Sequence, residues 1–138
     1  MLKVIQVLMF VIIVISCIAE DFQKYIVYYV PLDVNYYAPP SREDIMKWGV
    51  RFEIHDPVLD GMYEAINVQN GEMLTSKDCA LIRILIINNV GREIFITQDK
   101  TAISIHDNKK YMLGAHKIDE ILHVITNVGD DLLKNRNK

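Results

Sequence analysis

Leu81-Ile82-Arg83-Ile84-Leu85-Ile86-Ile87 is the stretch on which the fold turns. Apart from Arg83 it is apolar at every position, so neither face of an extended chain here suits water. A strand of that kind belongs inside a sheet with both faces covered. The flanking sequence supplies its neighbours. Asn88-Asn89-Val90-Gly91 is turn chemistry, and Glu93 to Thr97 returns alongside. Thr101 to His106 alternates, with Ile103 and Ile105 on one side, and Asp107-Asn108-Lys109 turns into Lys110 to Leu113. Residues 80–113 therefore read as an antiparallel meander with Leu81 to Ile87 at its centre.

Upstream, Lys24-Tyr25-Ile26-Val27-Tyr28-Tyr29-Val30 is β-branched and aromatic and is stopped by Pro31. A loop runs to Pro39-Pro40. Ser41-Arg42-Glu43-Asp44 is a capping box with Asp in place of Glu, opening a short helix to Trp48 that Gly49 ends. Val50-Arg51-Phe52-Glu53-Ile54 alternates, placing Val50, Phe52 and Ile54 inward. Asp56-Pro57 starts a helix, with a side-chain acceptor followed by proline in the first turn. In it Leu59, Met62, Tyr63 and Ile66 share one face, Gly61 weakens it, and Asn70-Gly71 terminates it. A last helix carries Ile118, Ile121, Leu122 and Ile125 at core spacing, with Gly129 just past its end. The expected fold is α+β, two-layer: a mostly antiparallel sheet of about five strands covered by two amphipathic helices. Residues 25–129 form this domain and 130–138 a flexible, basic tail.

The chain begins differently. Lys3 precedes an apolar run from Val4 to Ile15, followed by Ser16-Cys17-Ile18-Ala19-Glu20. A basic start, an apolar stretch and small residues before polar sequence make an export signal. Within it, Val14-Ile15-Ser16-Cys17 resembles the bacterial lipobox. The resemblance implies cleavage before Cys17, a thioether from its sulfur to diacylglycerol, and acylation of the new amino terminus. Residues 1–16 would then be signal peptide and 17–24 a tether. Ile18 after the cysteine is similar to lipoproteins sent on to the outer membrane, on the periplasmic face. Two alternatives stay open. Cys17-Ile18-Ala19 also suits cleavage after Ala19, releasing a secreted or free periplasmic protein. The second is retention of the run as an uncleaved anchor, although a spanning helix needs roughly 20 apolar residues.

Composition narrows the partners. The 138 residues carry 15 basic and 18 acidic side chains. Loss of residues 1–16 removes Lys3 alone, leaving 14 against 18 and a net charge of −4. Nucleic acid is not an expected partner, because binding it requires a basic excess. With Cys17 lipidated or removed, Cys79 is a lone thiol, expected as a small core residue without a disulfide partner.

The chemistry-bearing residues form no recognisable set. His116, Asp119, Glu120 and His123 fall on the polar side of the last helix. His116 and His123 are seven residues apart, about 10 Å at 1.5 Å per residue, too far for one ion with nitrogen ligands at about 2 Å. His116 with Glu120, and Asp119 with His123, are instead expected as ordinary i,i+4 partners. His55-Asp56 and His106-Asp107 lie at a strand–helix junction and a hairpin turn. No nucleophile elbow, phosphate loop or zinc-protease motif is present. No catalytic residue, metal site or cofactor is expected. The tyrosines are the stronger signal: Tyr25, Tyr28, Tyr29, Tyr36 and Tyr37 crowd into thirteen residues. Tyr25 and Tyr29 share one strand face, and with Tyr36 and Tyr37 they are the candidate protein-binding patch, since tyrosine gives large contact area at low entropic cost.

These readings point to a non-enzymatic exported envelope lipoprotein serving as a protein-binding module, held on the membrane by its lipid. An immunity protein against a periplasm-acting toxin is the specific form considered; the run from Ala80 to Ile125 is loosely similar to small exported immunity-type domains. The alternatives are a structural or assembly lipoprotein of the envelope, and a small periplasmic hydrolase using His55 and His106.

Overall fold

The computed structural model describes residues 1–18 and 23–138, with side chains for 1–11 and 23–138. The apolar N-terminal run forms helix α1 (Leu2–Ile18), exposed along its described side chains. Among the described residues no helix is long and apolar enough to cross a membrane. The Cys17 side chain, Phe22, and the alternative cleavage point between Ala19 and Glu20 lie outside what is described.

The remainder is one antiparallel sheet of seven strands with helices packed on it. In chain order the elements are β1 (Tyr25–Tyr29), α2 (Arg42–Trp48), β2 (Val50–Ile54), α3 (Pro57–Asn67), β3 (Glu72–Met73), α4 (Ser76–Cys79), β4 (Ile82–Ile87), β5 (Glu93–Thr97), β6 (Ala102–Ser104), β7 (Lys109–Tyr111) and α5 (Ala115–Arg136). The strand order is β2-β1-β4-β5-β6-β7-β3. The meander β4 to β7 and the interior place of β4 agree with the reading of residues 80–113. The count is seven rather than about five. One added strand, β3, is a two-residue rung on β7 that is too short to leave a periodic signal.

The sheet has two unequal faces. On the first, Tyr25, Val27 and Tyr29 of β1, Phe52 of β2, Ile84 and Ile86 of β4, and Ile94 and Ile96 of β5 pack against Leu59, Met62 and Ile66 of α3 and Ile118, Ile121 and Ile125 of α5. Fully burying one such aliphatic side chain contributes roughly 1.5–3 kcal/mol, so this face supplies most of the hydrophobic stabilisation. On the second, Val30, Ile82, Leu85, Phe95 and Ile103 meet Ile45, the one buried residue of α2. The loop between β1 and α2 closes over them with Val34 and Tyr36. Two amphipathic helices thus cover one face as expected, and α2 with its loop covers part of the other.

The helix starts follow from local hydrogen bonding. Ser41 Oγ accepts from Asp44 N at 3.1 Å while Asp44 Oδ2 accepts from Ser41 N at 2.8 Å. Thr75 and Asp78 repeat the arrangement for the one-turn α4, an element the sequence reading lacks. Asp56 Oδ1 accepts from Val58 N at 2.9 Å, and Pro57 occupies the first turn of α3. Cys79 ends α4 and is half-buried rather than enclosed in the core.

Gly129 does not end the last helix. α5 continues to Arg136, so most of the expected tail is helical. The reason is packing: the Tyr29 ring lies against Gly129, and a Cβ there would overlap Tyr29 Cδ1. Beyond that point Tyr29 Oη donates to Asp130 Oδ1 at 2.8 Å and Leu133 packs on the first-face core. A glycine that reads as a helix stop serves here as the gap into which a ring fits.

Candidate functional site

The four candidate tyrosines fall in three different environments. Tyr25 and Tyr29 are on the first face and buried, 0% and 3% exposed. Tyr25 stacks on Tyr63 of α3, with ring centroids 5.5 Å apart, and donates to the Asp60 carboxylate. Tyr29 is held by Gly129 and Asp130 of α5. Burial, and then the acceptor carboxylates, push both phenols well above the usual tyrosine range. These two rings are core, because β1 turns its Tyr25-Val27-Tyr29 side toward the helices. They do not join a surface patch.

Tyr36 and Tyr37 lie on the loop over the second face. Tyr36 stacks on Trp48, the last residue of α2, with centroids 5.6 Å apart and planes 19° from parallel. Below it the Arg83 guanidinium lies 4.9 Å from the ring centroid, within cation–π range. Trp48 is half-exposed and Tyr37 is wholly exposed. Burial raises the Tyr36 phenol and lowers the Arg83 guanidinium from its ordinary value.

A β-bulge puts Arg83 there. β4 pairs Ile82 with Thr97 but Ile84 with Ile96, so one residue of β4 is extra. Ile82 and Leu85 consequently share the second face at a spacing of three, with the Arg83 side chain beside them. Arg83 is 4% exposed. Its guanidinium donates to the carbonyls of Val34 (3.3 Å) and Ile82 (2.8 Å) and to Gln98 Oε1 (3.0 Å). Those bonds fasten the loop to the sheet and support the Tyr36 ring from below. The residues sequence reasoning missed are therefore Trp48 and Arg83. The only sign of Arg83 is its place as the lone charge in an apolar strand.

The histidines stay apart. His55 follows β2 and His106 follows β6, four places away in the strand order, or roughly 19 Å at about 4.8 Å per strand. On α5, His116 Nε2 meets Glu120 Oε1 at 2.8 Å and His123 Nε2 meets Asn127 Nδ2 at 3.2 Å. Asp119 pairs with Lys100 of the β5–β6 turn at 3.2 Å rather than with His123. All three face solvent. Compared with protein-family models, with curated proteins and with solved structures, the chain finds no match.

Proposed function

We propose that the chain is an exported, membrane-held module that binds another protein through the surface formed by Tyr36, Tyr37 and Trp48, without catalytic chemistry. The favoured form is an immunity protein against a toxin acting in the periplasm. The observation that carries the reading is the Tyr36–Trp48 stack, supported by Arg83, beside a fully exposed Tyr37. Rings already fixed in place lose little side-chain freedom on association, so more of their buried area appears as affinity. The lipobox residues Val14 to Cys17 support the tether, and the acidic balance suits a protein partner over nucleic acid.

Two experiments test the two halves. A photo-crosslinking residue in place of Tyr37, introduced into cells carrying the full chain, should yield one adduct of defined mass, abolished by Trp48→Ala. The same probe at His123 on α5 should yield none. Equal labelling at both positions, or indifference to Trp48→Ala, removes this surface as the binding site. Intact mass and fractionation of the chain beside Cys17→Ala test the tether. Added acyl mass and membrane association, both lost in the variant, are expected; a soluble product starting at Glu20 refutes the lipid.

A further inference from the structure

α2 begins at Arg42 and ends at Trp48, and the ring surface belongs to its C-terminal end. At its N-terminal end lies a separate cleft of about 540 Å³, between Arg42, the β4–β5 turn and the β6–β7 turn. That volume is within the roughly 300–1,000 Å³ typical of small-molecule sites. Phe95, Ile105 and Val90 give it an apolar lining. Beside the His106 imidazole, its charged groups come as two pairs in different states.

Arg42 and Glu93 satisfy each other, Nε to Oε1 at 2.5 Å and Nη2 to Oε2 at 2.8 Å. Arg92 and Asp107 form a looser ion pair with no hydrogen bond between them. Arg92 Nη2 is 3.8 Å from Asp107 Oδ2, beyond hydrogen-bond range. The Asp107 Oδ2 atom accepts from Ser104 Oγ at 2.9 Å, and Arg92 Nη1 donates to the Asn67 side-chain carbonyl. Each is thus hydrogen-bonded to a neutral neighbour, with its opposite charge in ion-pair range but not hydrogen-bonded to it. A lone anion would gain Arg92 but meet Asp107; a lone cation would gain Asp107 but meet Arg92. A molecule carrying both charges close together satisfies the two groups at once with charge-assisted hydrogen bonds.

We infer that this cleft binds a small zwitterion with an apolar side group, the chemistry of a free apolar α-amino acid. The carboxylate bonds to Arg92, the ammonium to Asp107, and the side group lies against the exposed Ile105 and Val90. A peptide end brings only one of the two charges, so the site selects the free molecule. Its ligand chemistry does not rest on the ring surface.

The test is an amide-resolved NMR titration of the intact protein with L-phenylalanine, phenylacetate and phenethylamine. Phenylalanine should cause saturable shifts confined to the amides of 90–95 and 104–107, with the two single-charge analogues about tenfold weaker or more. Arg92→Gln and Asp107→Asn should each weaken phenylalanine about tenfold at unchanged melting temperature, as should Ile105→Ser, which removes only the apolar contact. Both charged residues stand at hairpin turns, and Asp107→Asn keeps an acceptor for Ser104. Absence of saturable shifts, equal binding of all three ligands, or wild-type affinity in both charge variants overturns the assignment.

Discussion

Two glycines in helices have opposite consequences. A Cβ on Gly61 in α3 meets only the Lys117 ammonium at 3.8 Å, an ordinary contact with the far end of a flexible chain. Gly61→Ala should therefore recover helix propensity and stabilise by about 0.5–1 kcal/mol, read from the urea midpoint. A Cβ on Gly129 overlaps the Tyr29 ring, which cannot withdraw without giving up Asp130. Gly129→Ala gains the same propensity but incurs overpacking of about 1–3 kcal/mol, and the net should be destabilising. Stabilisation by Gly129→Ala would show that the ring has room to move. The buried tyrosines add a pH dependence. Tyr25, Tyr29 and Tyr63 have phenols raised above their ordinary value of 10.0, each chiefly by burial. Between that value and the folded-state value the unfolded chain loses protons that the native protein keeps, so unfolding is favoured as pH rises. Stability should be unaffected by these groups below about pH 10 and fall above it, and Tyr29→Phe should make that fall shallower in alkaline denaturation curves.

At the level of elements, α5 offers the most direct check. A chain ending at Gly129 loses the Tyr29–Asp130 hydrogen bond and the Leu133 contact, and should be less stable by about 1–3 kcal/mol. A chain ending at Lys134 retains both and should melt as the full chain does. Equal melting of the two would return residues 130–138 to the status of a tail. The same helix shows where local pattern succeeds and fails. Ile118, Ile121, Leu122 and Ile125 announce its buried side because their spacing is a property of the helix alone. The role of Gly129 depends on a ring one hundred residues away, and no local rule carries that. Likewise Ser41–Asp44 is readable as a capping box, and Thr75–Asp78 has the same form and was equally readable. β3 was not, since its two residues are set by pairing with β7. The ring surface divides the same way: Tyr36 and Tyr37 stand out by density, whereas Trp48 and Arg83 reach them only through a helix end and a bulge.

Across the whole molecule the unequal cover of the two sheet faces sets an order of opening. The first-face core draws on α3, α5 and six strands, while the second is a cluster of six buried residues to which α2 contributes Ile45 alone. Regions with few buried apolar contacts open locally, below the free energy of global unfolding. Amides of α2 should accordingly exchange hydrogen by a local route insensitive to low denaturant, whereas those of β4 and β5, paired on both sides, exchange only with global unfolding. Ile45→Ala should cost about 2–5 kcal/mol at its site and remove protection from α2 and the 31–41 loop before the first face is affected. The consequence reaches both proposed sites, because α2 supplies Trp48 to one and Arg42 to the other. If α2 amides instead carry the same opening free energy as β4, the two faces unfold as one unit. The ring surface and the cleft would then be as rigid as the core beneath them.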